Sequence, residues 1–124
     1  GVGQGARMKL VGNRIMGSML TALSEGLALG LKGGLDGAEI LDVLDAGAMA
    51  CPMFRAKGPM LLSGAYPTSF PLKHMQKDLR LALALSEKLD QNLALTAASN
   101  ELFKRARIAG NGDKDIGAVF SVIA

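Results

Sequence analysis

The sequence is poor in the residues that build most metal and redox centres. Its 124 residues include one cysteine, Cys51, and one histidine, His74. A single cysteine excludes an internal disulfide framework and a cysteine-rich zinc site. A single histidine excludes a His-based metal cluster, and a Ser-His-Asp triad would have to use His74. Tryptophan is absent and aromatic residues make up 4% of the chain, which is little material for the stacking platforms of single-strand nucleic-acid binders. Charge of one sign is also scarce. Fourteen Lys and Arg oppose eleven Asp and Glu, a net charge of +3, too small to imply a nucleic-acid partner by itself. No apolar run approaches the roughly 20 residues of a membrane span. Gly1–Met8 is glycine-rich and basic, unlike a secretory signal. Neither nucleic acid nor membrane is therefore expected as a partner.

What is present suits one packed domain. The length falls in the commonest domain range of roughly 100–150 residues, and 49% of residues are apolar, so disorder is not expected. A dinucleotide-dependent dehydrogenase needs a nucleotide half and a substrate half, and a chain of this size supplies one of them. A free cysteine and seven methionines fit a reducing compartment. The expected location is cytoplasmic, or an organelle if a transit peptide has been removed. The first residue is not methionine, as in a processed or excised piece.

The pattern predicts an all-α chain of about five to seven helices, because Ala, Leu, Met, Lys and Glu are abundant and β-branched residues sparse. The first helix is expected over about Gly5–Leu31. Its apolar positions Met8, Val11, Ile15, Met19, Leu20, Leu23 and Leu27 recur at threes and fours. Lys32-Gly33-Gly34 ends it, since glycine accepts the left-handed C-terminal conformation. Asp36, with Glu39 three residues on, caps a second helix whose buried stripe is Ile40, Leu41, Val43 and Leu44. Pro52, Gly58, Pro59, Gly64, Pro67 and Pro71 then interrupt the text, so Met53–Lys57 and Pro59–Ser63 are expected as short turns joined by loop. A third strong helix is expected from Lys73 to about Asp90, with Leu72, Met75, Leu79, Leu83 and Leu85 inward. A fourth follows from Leu93 to Ala109, ended by Gly110-Asn111-Gly112, and Asp113 starts a fifth over Ile116–Ile123.

Two constellations can carry chemistry. Lys9 and Asn13 are four apart and share one helix face. Together they offer a charged proton donor and a neutral amide to one small ligand. If packed helices enclose the stem of Lys9, desolvation favours its neutral amine and makes it a competent general acid; the amide of Asn13 can hold a carboxylate oxygen. The plain alternative is a solvated lysine on an amphipathic helix. The second constellation is Phe70-Pro71-Leu72-Lys73-His74-Met75-Gln76-Lys77-Asp78. Asp78 can orient a lysine and Phe70 can wall a pocket; alternatively this is an ordinary helix start with Phe70 as core filler. His74 is expected at the surface and Cys51 as a small buried residue near a loop. The glycines near the start form neither G-x-G-x-x-G nor a Walker loop, and no strand precedes them, so they are read as a flexible entry to the first helix. Lys104-Arg105-Ala106-Arg107 complements the negative end of the fourth helix.

The stretch G-x-G-x-x-x-K-x-x-x-N, formed by Gly3, Gly5, Lys9 and Asn13, resembles the catalytic-lysine motif of the β-hydroxyacid dehydrogenases. FPLKHMQKDLRLALA, Phe70–Ala84, resembles that family's later K-D-L block, in wording nearest the plant-type glyoxylate/succinic semialdehyde reductases, a branch with a nuclear cytokine-like relative. GSMLTALSEG, DAGAMACP and AASNELFKRA are similar to the same branch, so the resemblance covers nearly the whole chain. It implies a helical domain like the C-terminal domain of 6-phosphogluconate dehydrogenase, filling residues 1–124, with the Rossmann NADP-binding domain outside this sequence.

The resemblance also implies roles. Lys9 matches the general acid/base that protonates the carbonyl oxygen as hydride arrives from NADPH. Asn13 matches a residue that holds the substrate carboxylate. Phe70 and Asp78 match positions that support catalysis, and Lys77 matches a residue that reaches NADPH. Gly12 stands where the branch usually has a larger aliphatic residue. The expected function is the catalytic-lysine half of an NADPH-dependent reductase of small aldehyde acids, with homo-oligomerisation through the helical domain. The alternatives are a 3-hydroxyisobutyrate dehydrogenase domain and a non-catalytic helical oligomerisation module.

Overall fold

The computed structural model describes residues 2–124. Gly1, read above as part of the glycine-rich entry, lies outside the described residues. Helix α1 spans Val2–Lys32, α2 Gly37–Asp45, α3 Pro52–Ser63, α4 Leu72–Leu89 and α5 Ala94–Ala106. A π-type turn over Arg107–Asn111 and a 3-10 turn over Ile116–Val119 lead to the short α6, Phe120–Ile123. Among the described residues the only extended pairing is one antiparallel bridge between Pro71 and Asp115.

α1, α4 and α5 pack side by side. Leu20, Leu23 and Leu27 of α1 meet Leu72, Met75 and Leu79 of α4 and Phe103 and Ala106 of α5, while Ile116, Ala118, Val119 and Phe120 close the end of the core. The contact between α1 and α4 is close because position 17 is glycine: a Cβ there would stand 3.1 Å from Met75 Sδ and 3.3 Å from Leu79 Cδ2.

The core uses only part of the apolar pattern of α1. Leu20, Leu23 and Leu27 are buried, but Met8, Val11 and Ile15 are exposed. Residues 3–9 are exposed throughout, so Gly3 and Gly5 lie inside a helical overhang rather than in a flexible entry. At 100° per residue, Met8, Val11 and Ile15 lie on the side of α1 away from Leu20 and Leu27. The expected single stripe is thus two stripes, one packed and one open.

Three further expectations change. Residues 52–63 form one helix and not two turns, although Pro59 lies inside it. Gly58 and Leu61 on either side of Pro59 are buried, so packing holds both halves across the missing hydrogen bond. Gly58 allows this approach: a Cβ would fall 2.6 Å from Leu41 Cδ2. Val43 of α2 is exposed, leaving Ile40, Leu41 and Leu44 against the core. The last helical stretch is capped by Asp115, whose side chain accepts from the Gly117 amide; Asp113 lies outside it, exposed and paired with Lys73 at 2.6 Å. Asp36 does cap α2, accepting from the Glu39 amide at 3.1 Å. Cys51 is half-buried at the N-cap of α3.

Candidate functional site

The site is built where α1 crosses α4. Asn13 Nδ2 donates to Asp78 Oδ2 at 2.6 Å, joining residues 65 apart in sequence. Asp78 is 3% exposed, and a carboxylate can only accept, so it fixes which edge of the Asn13 amide faces it. The second N–H and the carbonyl oxygen of that amide are left pointing elsewhere. Lys9 lies on the same face of α1, one turn nearer the N-terminus, about 6 Å along the axis. The two sequence constellations therefore meet, one on each helix.

The other expected residues take different environments. Lys9 and Lys77 are solvent-exposed. The desolvation expected for Lys9 is thus not supplied by this chain, in which residues 3–9 at the start of α1 are all exposed. Phe70 is half-buried immediately before α4 and packs partly against the core. His74 is exposed on the first turn of α4. Among the described residues no three His, Cys, Asp or Glu side chains come together in a way that would hold a metal ion.

Arg14, next to Asn13, faces the other way. Its Nε donates to Thr96 Oγ1 at 2.7 Å and its Nη2 to Ser18 Oγ at 3.1 Å. The bond to Thr96 ties α1 to α5, and the bond to Ser18, within α1, holds the Arg14 side chain in place for it. The i, i+4 spacing of Arg14 and Ser18 was the only sequence signal for this. On the far side of α4, Gln76 donates to Asn100 at 3.1 Å and accepts from Arg107 at 3.2 Å.

Asp115 was not singled out by sequence. It is fully buried, and Lys57 Nζ lies 2.8 Å from its Oδ2. Burial opposes its charge, but Lys57 and the amides of Gly117, Phe70 and Ser69 together outweigh that, holding its carboxyl below the usual aspartate range. Asp113 is also lowered, mainly by its hydrogen bond to Lys73.

Residues 3–123 match the family described as NAD-binding of NADP-dependent 3-hydroxyisobutyrate dehydrogenase. The chain belongs to this family. Its members are NADP-dependent oxidoreductases, in keeping with that description. The chain is 53% identical to glyoxylate/succinic semialdehyde reductase 1 of Arabidopsis thaliana over 122 residues, 98% of this chain and 42% of that protein. It is 48% identical over 122 residues to the chloroplastic reductase 2 of the same plant, again over 98% of this chain but 34% of the relative. Among solved structures, 3-hydroxyisobutyrate dehydrogenase from Salmonella typhimurium superposes with a TM-score of 0.87 at 25% identity, over 94% of this chain and 41% of that one. The chain therefore spans less than half the length of each. The fold expected from the resemblance, the all-helical domain of this family, is the one observed.

NADP(H) is the family's cofactor, and the fit of this chain to it is limited and specific. No strand followed by a glycine-rich turn exists among the described residues, so nothing here cradles a pyrophosphate in the dinucleotide manner. What the chain offers is two exposed cations, Lys9 and Lys77, one on each of the helices joined by the Asn13–Asp78 pair.

Proposed function

We propose that this chain is the substrate-binding and catalytic-lysine half of an NADPH-dependent reductase of small aldehyde acids, with glyoxylate and succinic semialdehyde as the best-matched substrates. The Asn13–Asp78 hydrogen bond carries the reading, because it turns two separate sequence motifs into one site with Lys9 a turn away. NADPH would supply the hydride, and a Rossmann domain elsewhere in the protein would hold it.

This chain's residues then divide the remaining work. Asn13, oriented by Asp78, donates its outward N–H to a carboxylate oxygen of the substrate. Lys9 places its ammonium on the carbonyl oxygen and gives a proton there as negative charge develops. Lys77 meets the anionic cofactor from the α4 side, and Phe70 walls the site. Enclosure of Lys9 falls to the docked domain, since α1 leaves it in solvent. Homo-oligomerisation through the helical domain is part of the same reading, supported by the open stripe of Met8, Val11 and Ile15. The cytoplasm is the proposed location, with an organelle as the alternative, since one relative is named chloroplastic. No helix among the described residues is long and apolar enough to cross a membrane.

The test is NADPH oxidation by the full-length polypeptide containing this chain, with each aldehyde in turn. Lys9→Ala should lower kcat by about 10²–10⁴-fold, the usual contribution of a positioned proton donor. Residues 1–124 alone should give no turnover, because lysine moves protons and not hydride. A Lys9→Ala protein with unchanged rate refutes the assignment. NADP+ reduction with 3-hydroxyisobutyrate, but no NADPH oxidation with either aldehyde, moves the reading to the 3-hydroxyisobutyrate dehydrogenases, the alternative favoured by the fold match.

A further inference from the structure

A single buried carboxylate governs the segment that leads into the site. Asp115 Oδ1 accepts from the backbone amides of Ser69 and Phe70, each at 3.1 Å. Its Oδ2 accepts from the Gly117 amide at 2.9 Å and from Lys57 Nζ at 2.8 Å. Around it, Ile116 N–H donates to the Phe70 carbonyl at 2.9 Å, and Leu72 and Lys73 N–H donate to the carbonyls of Lys114 and Gly112, each at 2.9 Å. Phe70 is thus held at both its N–H and its C=O by residues about 45 positions away.

Capping the 3-10 turn would need only the bond to Gly117. The additional grip on Ser69 and Phe70, and a lysine drawn into the interior to neutralise it, exceed that need. Buried ion pairs are weak contributors to stability, and their better-attested use is to enforce one geometry over its neighbours. Here the enforced geometry is that of Phe70 and the first turn of α4, two turns ahead of Lys77 and Asp78.

We propose that Asp115 is a positioning residue for the reaction, with its Oδ1 fixing Phe70 and the entry to α4, while the Ser69, Phe70 and Gly117 amides hold the carboxylate and Lys57 only neutralises its charge. The proposal rests on the reductase reading above.

Two variants separate this role from a purely structural one. Lys57→Met leaves the carboxylate on the Ser69 and Phe70 amides but strips its counter-ion. Asp115→Asn keeps the size but has one acceptor oxygen, which Lys57 claims, turning the NH2 group onto those amides. Both should lower Tm. In full-length protein assayed well below either Tm, Lys57→Met should keep kcat within about threefold, while Asp115→Asn should lose roughly ten- to a hundredfold, the scale of a small misplacement in an active site. KM for NADPH should stay within about threefold in both. Equal retention or equal loss of kcat in the two folded variants overturns the proposal. If Asp115→Asn does not fold at the assay temperature, the Asp115→Asn/Lys57→Met double variant replaces it. Its Ser69 and Phe70 amide resonances report whether the oxygen still accepts from them, and wild-type kcat with both resonances displaced overturns the proposal. An inactive parent protein refutes the reductase reading instead, and the proposal falls with it.

Discussion

Replacing Gly12 by alanine should stabilise the protein, and the expected gain can be worked from the helix around it. Gly12 lies in the interior of α1 with no atom within 4 Å of where its Cβ would be, and its φ is negative, as alanine prefers. Nothing in the site opposes the change sterically, so the loss of backbone freedom in the unfolded chain decides the sign. That is worth about 0.5–1 kcal/mol in favour of alanine. For a chain of this length the unfolding entropy is about 0.26 kcal/mol per kelvin, so Tm should rise by about 2–4 °C. Gly26 is also interior to α1, exposed and open, and lies about 21 Å from Gly12 along the axis, so the two gains should add. Gly17→Ala is the control. It needs the same helical backbone but meets Met75 and Leu79, and should lower Tm. Thermal unfolding by circular dichroism of five proteins, the parent, the three single variants and the Gly12→Ala/Gly26→Ala double variant, reads all of this. A Gly12→Ala protein no more stable than its parent would refute the reasoning.

Other perturbations have equally definite outcomes. Asp115 carries a depressed carboxyl, so its stabilisation is full above the usual aspartate range and is lost as pH falls from there through the lower folded-state value; Lys57→Met should blunt the acid limb of a Tm–pH curve, and an unchanged limb would remove the ion pair from the account. Phe103→Ala, at a site of 0% exposure, should cost about 3–5 kcal/mol in urea unfolding. Asp36→Ala removes the N-cap of α2 and should cost about 1 kcal/mol by the same assay.

The helices were legible because their causes are local. The Asp36–Glu39 spacing, the Gly33-Gly34 stop and the periodicity of α4 each act within a few residues, and each is observed. Pro59 misled because burial of Gly58 and Leu61 against other elements outweighed a local penalty. The exposed stripe on α1 was not told apart from the packed one because periodicity reports an apolar face without saying what covers it. The site was half legible. Lys9, Asn13 and Asp78 were marked by motif and spacing, and the Asn13–Asp78 bond brings the two motifs together. Asp115 and Lys57 were not, because their meaning depends on a contact spanning 58 residues, and Asp113 offered a nearer and equally plausible cap.

The close seat of Gly17 on α4 acts as a fulcrum for the start of α1. From that point to Lys9 the helix runs eight residues, about 12 Å, steadied on the way by the Asn13–Asp78 and Arg14–Thr96 bonds, and only beyond Leu10, over residues 3–9, is every residue exposed. A tilt of about 5° at Gly17 to which those two bonds yielded would carry the Lys9 Cα through about 1 Å. A displacement of that size in an active site can cost roughly a hundredfold in rate. Under the proposed assignment of Lys9, a methyl group added at residue 17 would therefore be felt at the proton donor, and the two hydrogen bonds are what hold that donor against such a tilt.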